Sequence, residues 1–161
     1  MALDLEILVD FQGESLDLLA ELEELVDNLE DHGVVFPADP LKEFSQKIDR
    51  IMGASKSLLM LEPTHQGLAF LSNVAEMCKT MGYQAAVLQR TNLIPIFAGF
   101  WAETVELMLL VLQNIDSEEK TKKIISERSP VLEKRLNWLA EKVAPNSPQE
   151  KEKVMAMLKK L

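Results

Sequence analysis

Residues 93–113, LIPIFAGFWAETVELMLLVLQ, form the most apolar stretch of the chain and decide its fold class. Drawn as a helix, the stretch is apolar on almost every side, which is typical of a helix at the centre of a helical bundle. Glu103 and Glu106 lie in its middle and Pro95 lies near its start. Because two ionised carboxylates are costly at the centre of a bilayer, the stretch predicts a buried helix from about Leu93 to Ile115 and not a membrane span.

Two amphipathic helices are predicted before this stretch, because apolar residues recur at steps of three and four and never alternate with period two. The first runs from about Leu3 to Asp31 and ends at His32-Gly33. The second begins near Asp39, which is expected to cap it with Pro40 at the first helical position, and ends at Glu62-Pro63. Its apolar face consists of Leu41, Phe44, Ile48, Ile51, Ser55 and Leu58.

The remaining sequence predicts further helices separated by helix breakers. Gly82 is expected to end the third helix, with residues 83–90 as another short helical piece. After the central helix, Ser117 caps a segment that ends near Ser129, and Pro130 begins a new one. A capping box with proline at the first helical position, Ser147-Pro148-Gln149-Glu150, opens the last helix. We therefore expect an all-α protein, with an antiparallel four-helix bundle in residues 1–116 and a C-terminal helical extension, residues 117–161, packed on the same domain.

Length and composition favour a single soluble domain. The chain has 161 residues, of which 47% are hydrophobic and 27% charged. Its one cysteine, Cys78, cannot form an internal disulfide. Residues 1–10 contain no basic residue, so they do not resemble a secretory signal. These features predict a cytoplasmic protein.

The net charge of −9 is distributed unevenly along the chain. Residues 1–41 contain twelve acids and no base, whereas residues 117–161 carry a net charge of +4. Nucleic acid and anionic membranes attract clustered Lys and Arg, so neither is expected as a partner. The acidic segment is either a solvated helix face, against which the basic end of the chain lies, or a docking surface for a basic partner.

The common catalytic and metal-binding motifs are missing. Two histidines and one cysteine are too few for a zinc site of the usual composition. A di-iron bundle needs two Glu-x-x-His pairs, and only Glu62 and His65 have this spacing, with Pro63 between them. Glu103 and Glu106 are one turn apart but have no histidine partner. We expect neither a metal nor a cofactor.

The solvent face of the second helix is the most informative part of the sequence. Asp49 and Gly53 lie opposite the apolar stripe, on a face shared with Lys42, Gln46 and Lys56. A glycine inside a helix costs about 1 kcal/mol relative to alanine, so a compensating reason is expected. Either another protein approaches the helix closely at Gly53, or Gly53 packs against a neighbouring helix of the same chain or is simply tolerated.

Two segments carry a resemblance to a known family. Residues 11–25, FQGESLDLLAELEEL, followed by residues 48–55, IDRIMGAS, resemble a bacterial histidine phosphotransfer (HPt) domain, and most closely those of chemotaxis-type kinases. The resemblance covers about residues 1–116 and implies a four-helix bundle whose second helix carries Ala-His-x-Leu-Lys-Gly-x-x. In the family, the exposed histidine exchanges a phosphoryl group with the aspartate of a receiver domain. The lysine supports the phosphoryl charge, and the glycine lets the receiver approach.

The sequence departs from this family pattern at two positions. Asp49 stands in place of the phospho-accepting histidine and Met52 in place of the lysine, whereas Gly53 is retained. Imidazole is a nucleophile that titrates near neutral pH, but Asp49 would be an anion attacking an anionic donor without a neighbouring lysine. Ordinary phosphotransfer is therefore expected to be absent. His65, in the loop after the second helix, is an alternative acceptor or has no role in transfer.

The resemblance implies a non-catalytic HPt-like signalling protein that binds a receiver domain or a histidine kinase in a two-component or chemotaxis-type pathway. We predict its partner-binding face on the second helix, at Gln46, Asp49, Arg50, Met52, Gly53 and Lys56. One alternative is a receiver-directed phosphatase or an unorthodox phosphotransfer protein, since Gln46 lies one turn before Asp49. The other is a structural adaptor or oligomerisation module, whose apolar stripes pair with other chains.

Overall fold

The computed structural model describes residues 3–30 and 35–143, and this part of the chain is helical without β-strands. The predicted all-α class is therefore confirmed. The described part contains five α-helices and a 3₁₀ turn, Thr91–Leu93, that leads into the fourth. The helices are α1 (Leu5–Glu30), α2 (Ala38–Leu61), α3 (Gln66–Leu88), α4 (Ile94–Gln113) and α5 (Glu118–Val143).

The first four helices form a closed ring of neighbours. α2 packs along α3 and α1 along α4, while α1–α2 and α3–α4 contacts complete the ring. α2 and α3 run antiparallel, because Ser45 lies beside Gly82, whereas Asp49, one turn later in α2, bonds Lys79, about one turn earlier in α3. α5 packs on the outside of this ring, against α4 and α3.

The apolar helix α4 supplies the centre of the core. Trp101 is fully buried, and its ring centroid lies 4.4 Å from that of Phe44 on α2 and 5.5 Å from that of Phe97. By length and composition alone, the segment Thr91–Gln113 could cross a membrane. However, 56% of its most apolar window is buried inside the protein, and the buried core helix of a soluble protein has the same length and composition.

The predicted apolar stripe of α2 is confirmed at every position, whereas the predicted cap is wrong. The helix begins at Ala38 and its N-cap is Pro37, which makes no side-chain capping bond. The backbone N–H of Leu41 donates to the carbonyl of Pro37, so the first helical turn starts two residues before Asp39. Asp39 lies inside that turn, where a carboxylate still interacts favourably with the helix dipole.

Gly82 does not end α3, which continues to Leu88 and includes most of the predicted separate piece at 83–90. A Cβ at Gly82 would lie 2.8 Å from Ser45 Oγ on α2, so the glycine is explained by close helix packing. The helix ends instead at Gln89, whose φ of 49° is left-handed.

Pro130 does not start a new helix, because α5 is continuous through it. Thr121, Leu132, Leu136 and Leu139 are buried along one side of α5, on both sides of the proline. Burial of this continuous stripe outweighs the lost backbone hydrogen bond of a proline within a helix. The predicted stop at His32-Gly33 and the predicted last helix from Ser147 lie outside the described residues.

Candidate functional site

The predicted partner-binding residues lie together on one side of α2, which we call the α2 face. The buried stripe of α2 faces the core and thereby turns these residues away from it. Met52 is half-buried and packs against the core, and the other five are exposed. The α2 face consists of Gln46, Asp49, Arg50, Met52, Gly53 and Lys56.

Asp49 is paired with a lysine that the sequence analysis missed. The Nζ of Lys79 on α3 donates to Asp49 Oδ1 at 2.6 Å, and both side chains are about half exposed. The expectation that Asp49 has no neighbouring lysine is therefore wrong. The two residues are 30 positions apart and meet only because α2 and α3 pack antiparallel.

A signal for this pair was present in the sequence. The α2–α3 turn lies around Thr64, and Asp49 and Lys79 are each 15 residues from it. In an antiparallel helix pair, residues at equal distances from the turn lie at the same height.

An exposed ion pair such as Asp49–Lys79 contributes about 0–1 kcal/mol to stability. Its main effect is to hold one carboxylate oxygen of Asp49 against a cation.

Gly53 has open space beside it. Apart from its two chain neighbours and the backbone of its own helical turns, a Cβ built there would meet no atom of the described residues within 4 Å, and Gly53 is exposed. Packing against a neighbouring helix is therefore excluded as its explanation within the described part of the chain. Close approach by another molecule and simple tolerance remain as the two explanations.

His65 is a structural residue at the start of α3. Its side chain is only 5% exposed, and its Nδ1 accepts a hydrogen bond of 3.2 Å from the backbone N–H of Leu68. It is the N-cap of α3, where a side-chain acceptor satisfies one of the free backbone N–H groups of the helix. This burial contrasts with the exposed acceptor histidine that the resemblance implies. His32 lies outside the described residues.

The other candidate reactive groups are held by different interactions. Glu103 forms an ion pair with Arg135 on α5, with 3.3 Å between Glu103 Oε2 and Arg135 Nε. Within residues 3–30 and 35–143, no group of His, Cys, Asp and Glu side chains has the arrangement of a metal site. Burial raises the pKa of the Cys78 thiol to about 12, because the charged thiolate is disfavoured away from water.

The acidic helix α1 is partly neutralised by α2. Lys47 Nζ donates to Glu21 Oε2 at 2.8 Å. This hydrogen bond and the charge of Lys47 lower the pKa of Glu21, while the hydrogen bond to Glu21 raises the pKa of Lys47. The pair shows that one carboxylate of α1, that of Glu21, interacts with a base of the same chain.

Comparison of the chain with protein-family profiles, curated proteins and solved structures finds no match in any of the three.

Proposed function

We propose that this is a non-catalytic HPt-like signalling protein, which binds a receiver domain or a histidine kinase through the α2 face without accepting a phosphoryl group. In this proposal, α1 to α4 are the HPt-like four-helix bundle and α5 belongs to an added helical extension. The protein acts in the cytoplasm, in a bacterial two-component or chemotaxis-type pathway.

The main observation in support of this proposal is the position of Gly53. It lies inside a long helix, where glycine costs about 1 kcal/mol relative to alanine. No described residue of the chain occupies the space next to it. A binding partner that approaches the helix backbone at this point supplies the missing reason for a glycine.

The surroundings of Asp49 support binding without transfer. Asp49 offers an anionic carboxylate in place of a neutral imidazole, and one of its oxygens is already bonded to Lys79. Lys79 in turn presents a cation at Asp49, which shares the exposed side of α2 with Gln46 and Gly53. A receiver domain that approaches this face therefore meets a pair of opposite charges next to an open stretch of helix backbone.

The test is the substitution Gly53→Arg, measured by calorimetric titration against a panel of receiver domains and kinases. The bulky side chain should abolish binding, while circular dichroism should show unchanged helicity. The matched control is Gly13→Arg, because Gly13 on α1 is also exposed with no described atom near its Cβ position. If both variants bind every partner as the unmodified protein does, the proposal is wrong.

The Asp49–Lys79 pair also supports a second candidate, a receiver-directed phosphatase or an unorthodox phosphotransfer protein. Lys79 supplies the cation that such chemistry needs beside Asp49, and Gln46 is exposed one turn away on the same face. We would follow the decay of a phosphorylated receiver with the unmodified protein and with Asp49→Asn. Faster decay that Asp49→Asn removes, or label on Asp49, favours this candidate; an unchanged decay eliminates it.

A further inference from the structure

A groove lies between α4 and α5, on the outside of the helix ring. It has two adjoining parts, of about 550 Å³ and about 350 Å³. Leu110 and Val131 are among the residues that line the larger part, and Trp138 is among those that line the smaller part. The Glu103–Arg135 ion pair borders both parts. We call the two parts together the α4–α5 groove.

The α5 side of the groove exposes large apolar groups to solvent. Val131 is 52% exposed and Trp138 is 49% exposed, and they lie two helical turns apart on the same side of α5. Leu110 on the facing helix is half-buried. Tryptophan and arginine are enriched at the buried centres of protein–protein interfaces, and both residue types line this groove.

The groove also carries charges of both signs that the chain itself does not fully pair. Glu106 on α4 and Arg128 on α5 are exposed, and neither forms an ion pair with a described residue. Arg135 bonds Glu103 but stays more than half exposed, so its guanidinium has further N–H donors to offer. A symmetric dimer interface requires one patch to contain both halves of each contact. The α4–α5 groove meets this requirement.

The register of the two helices fixes how such a dimer pairs its apolar groups. α4 and α5 are consecutive helices that pack together through a short connection, so they run antiparallel. Because Glu103 meets Arg135, Leu110 lies at about the level of Arg128, seven residues back along α5. A two-fold axis halfway between the levels of Arg128 and Trp138 therefore brings Trp138 of a second copy to the level of Leu110.

The same axis pairs the unpaired carboxylate. It places Arg135 of the second copy at the level of Val131, one turn before Arg135 of the first copy. On α4 this level is one turn after Glu103, beside Glu106. The symmetry repeats the contact, so that each Glu106 gains a cation from the other copy. One arrangement thus satisfies both the apolar and the charged groups of the groove.

We infer that two copies of this chain form a symmetric dimer through the α4–α5 groove, with their α5 helices antiparallel. Trp138 of each copy packs on Leu110 of the other, and Arg135 of each lies beside Glu106 of the other. The inference is independent of the proposed function, because α4 lies across the helix ring from α2. The α2 face stays open in the dimer.

The experiment is sedimentation equilibrium of the full chain over a range of concentrations, which should give the mass of two chains. Glu106→Arg sets a cation against each Arg135 of the other copy, and Arg135→Glu sets a carboxylate against each Glu106. Each variant alone should be a monomer. An equimolar mixture of the two should form dimers again, because both contacts then join opposite charges. A change in folding alone would not produce this recovery.

A second variant tests the apolar contact without a change of charge. Trp138→Ala should weaken dimerisation by about tenfold or more, since large aromatic anchors dominate interface energies. The matched control is Tyr83→Ala, because Tyr83 is an aromatic residue on α3 that is 71% exposed and distant from the groove. It should leave the dimerisation constant unchanged, and circular dichroism checks that both variants stay helical. Equal effects of the two substitutions contradict the inference.

Two further results would overturn the inference. The first is a monomer at every concentration, which leaves the groove to a different protein or to residues of the chain outside the described part. The second is a dimer that both charge variants and Trp138→Ala leave intact, which places the interface on another surface.

Discussion

At the residue scale, the environment of a side chain decides its role more than its type does. His65 carries an imidazole, a common catalytic group, yet it is buried and its Nδ1 caps α3. Cys78 is a thiol whose burial raises its pKa to about 12, so it is inert under ordinary conditions. Asp49 is an exposed carboxylate, but its immediate partner is Lys79 on another helix.

The role of His65 can be tested by replacing it. His65→Ala removes the acceptor for the Leu68 N–H and should lower the free energy of unfolding by about 1 kcal/mol or more. His65→Asn keeps a short acceptor at the N-cap and should recover part of this loss. Urea denaturation followed by circular dichroism measures both. Equal destabilisation by Ala and Asn would show that the capping bond contributes nothing.

At the scale of single helices, packing overrides local helix breakers twice. α3 passes through Gly82 because the glycine allows Ser45 of α2 to approach. α5 passes through Pro130 because its buried stripe continues on both sides. In both cases, a contact with another helix compensates for a residue that weakens the helix by itself.

Pro130 therefore carries a cost that a substitution should reveal. Pro130→Ala restores the backbone donor and removes the ring, and we expect it to raise the free energy of unfolding by up to about 3 kcal/mol. The control is Pro95→Ala, because Pro95 lies in the first turn of α4, where no backbone donor is needed. Urea denaturation of both variants checks the prediction. A Pro130→Ala variant that is no more stable than the unmodified protein would contradict it.

At the scale of the whole molecule, Trp101 connects helices across the core, because it links α4 to α2. It is fully buried on α4, stacks on Phe44 of α2 and lies near Phe97. Helix α4 contacts α1, α3 and α5, so a cavity at its centre affects most of the described fold.

Trp101→Ala should accordingly destabilise the protein by about 3–5 kcal/mol, through lost burial and the cavity left behind. Tyr83→Ala is the control, because Tyr83 is 71% exposed and its loss should change stability by less than about 0.5 kcal/mol. Chemical denaturation measures both. Comparable effects of the two substitutions would show that the core is not organised around Trp101.

The sequence by itself determined the helical class, the central position of the 93–113 segment and the side of α2 that faces solvent. All three follow from the spacing of the apolar residues. Residues three and four positions apart lie on the same side of a helix, so apolar residues at this spacing identify the side that is buried. The exposure of Gln46, Asp49 and Gly53 could be predicted for this reason.

Only the tertiary structure decided where helices truly end and which side chains meet across them. The lengths of α3 and α5 depend on whether packing at Gly82 and Pro130 outweighs local propensity, and this balance of free energies is set by distant residues. Lys79 reaches Asp49 for the same reason, because the relative position of two helices depends on how their whole surfaces fit. The spacing of apolar residues within a helix specifies which side of that helix is buried. Which residues of two helices meet depends on parts of the chain that are far apart in sequence.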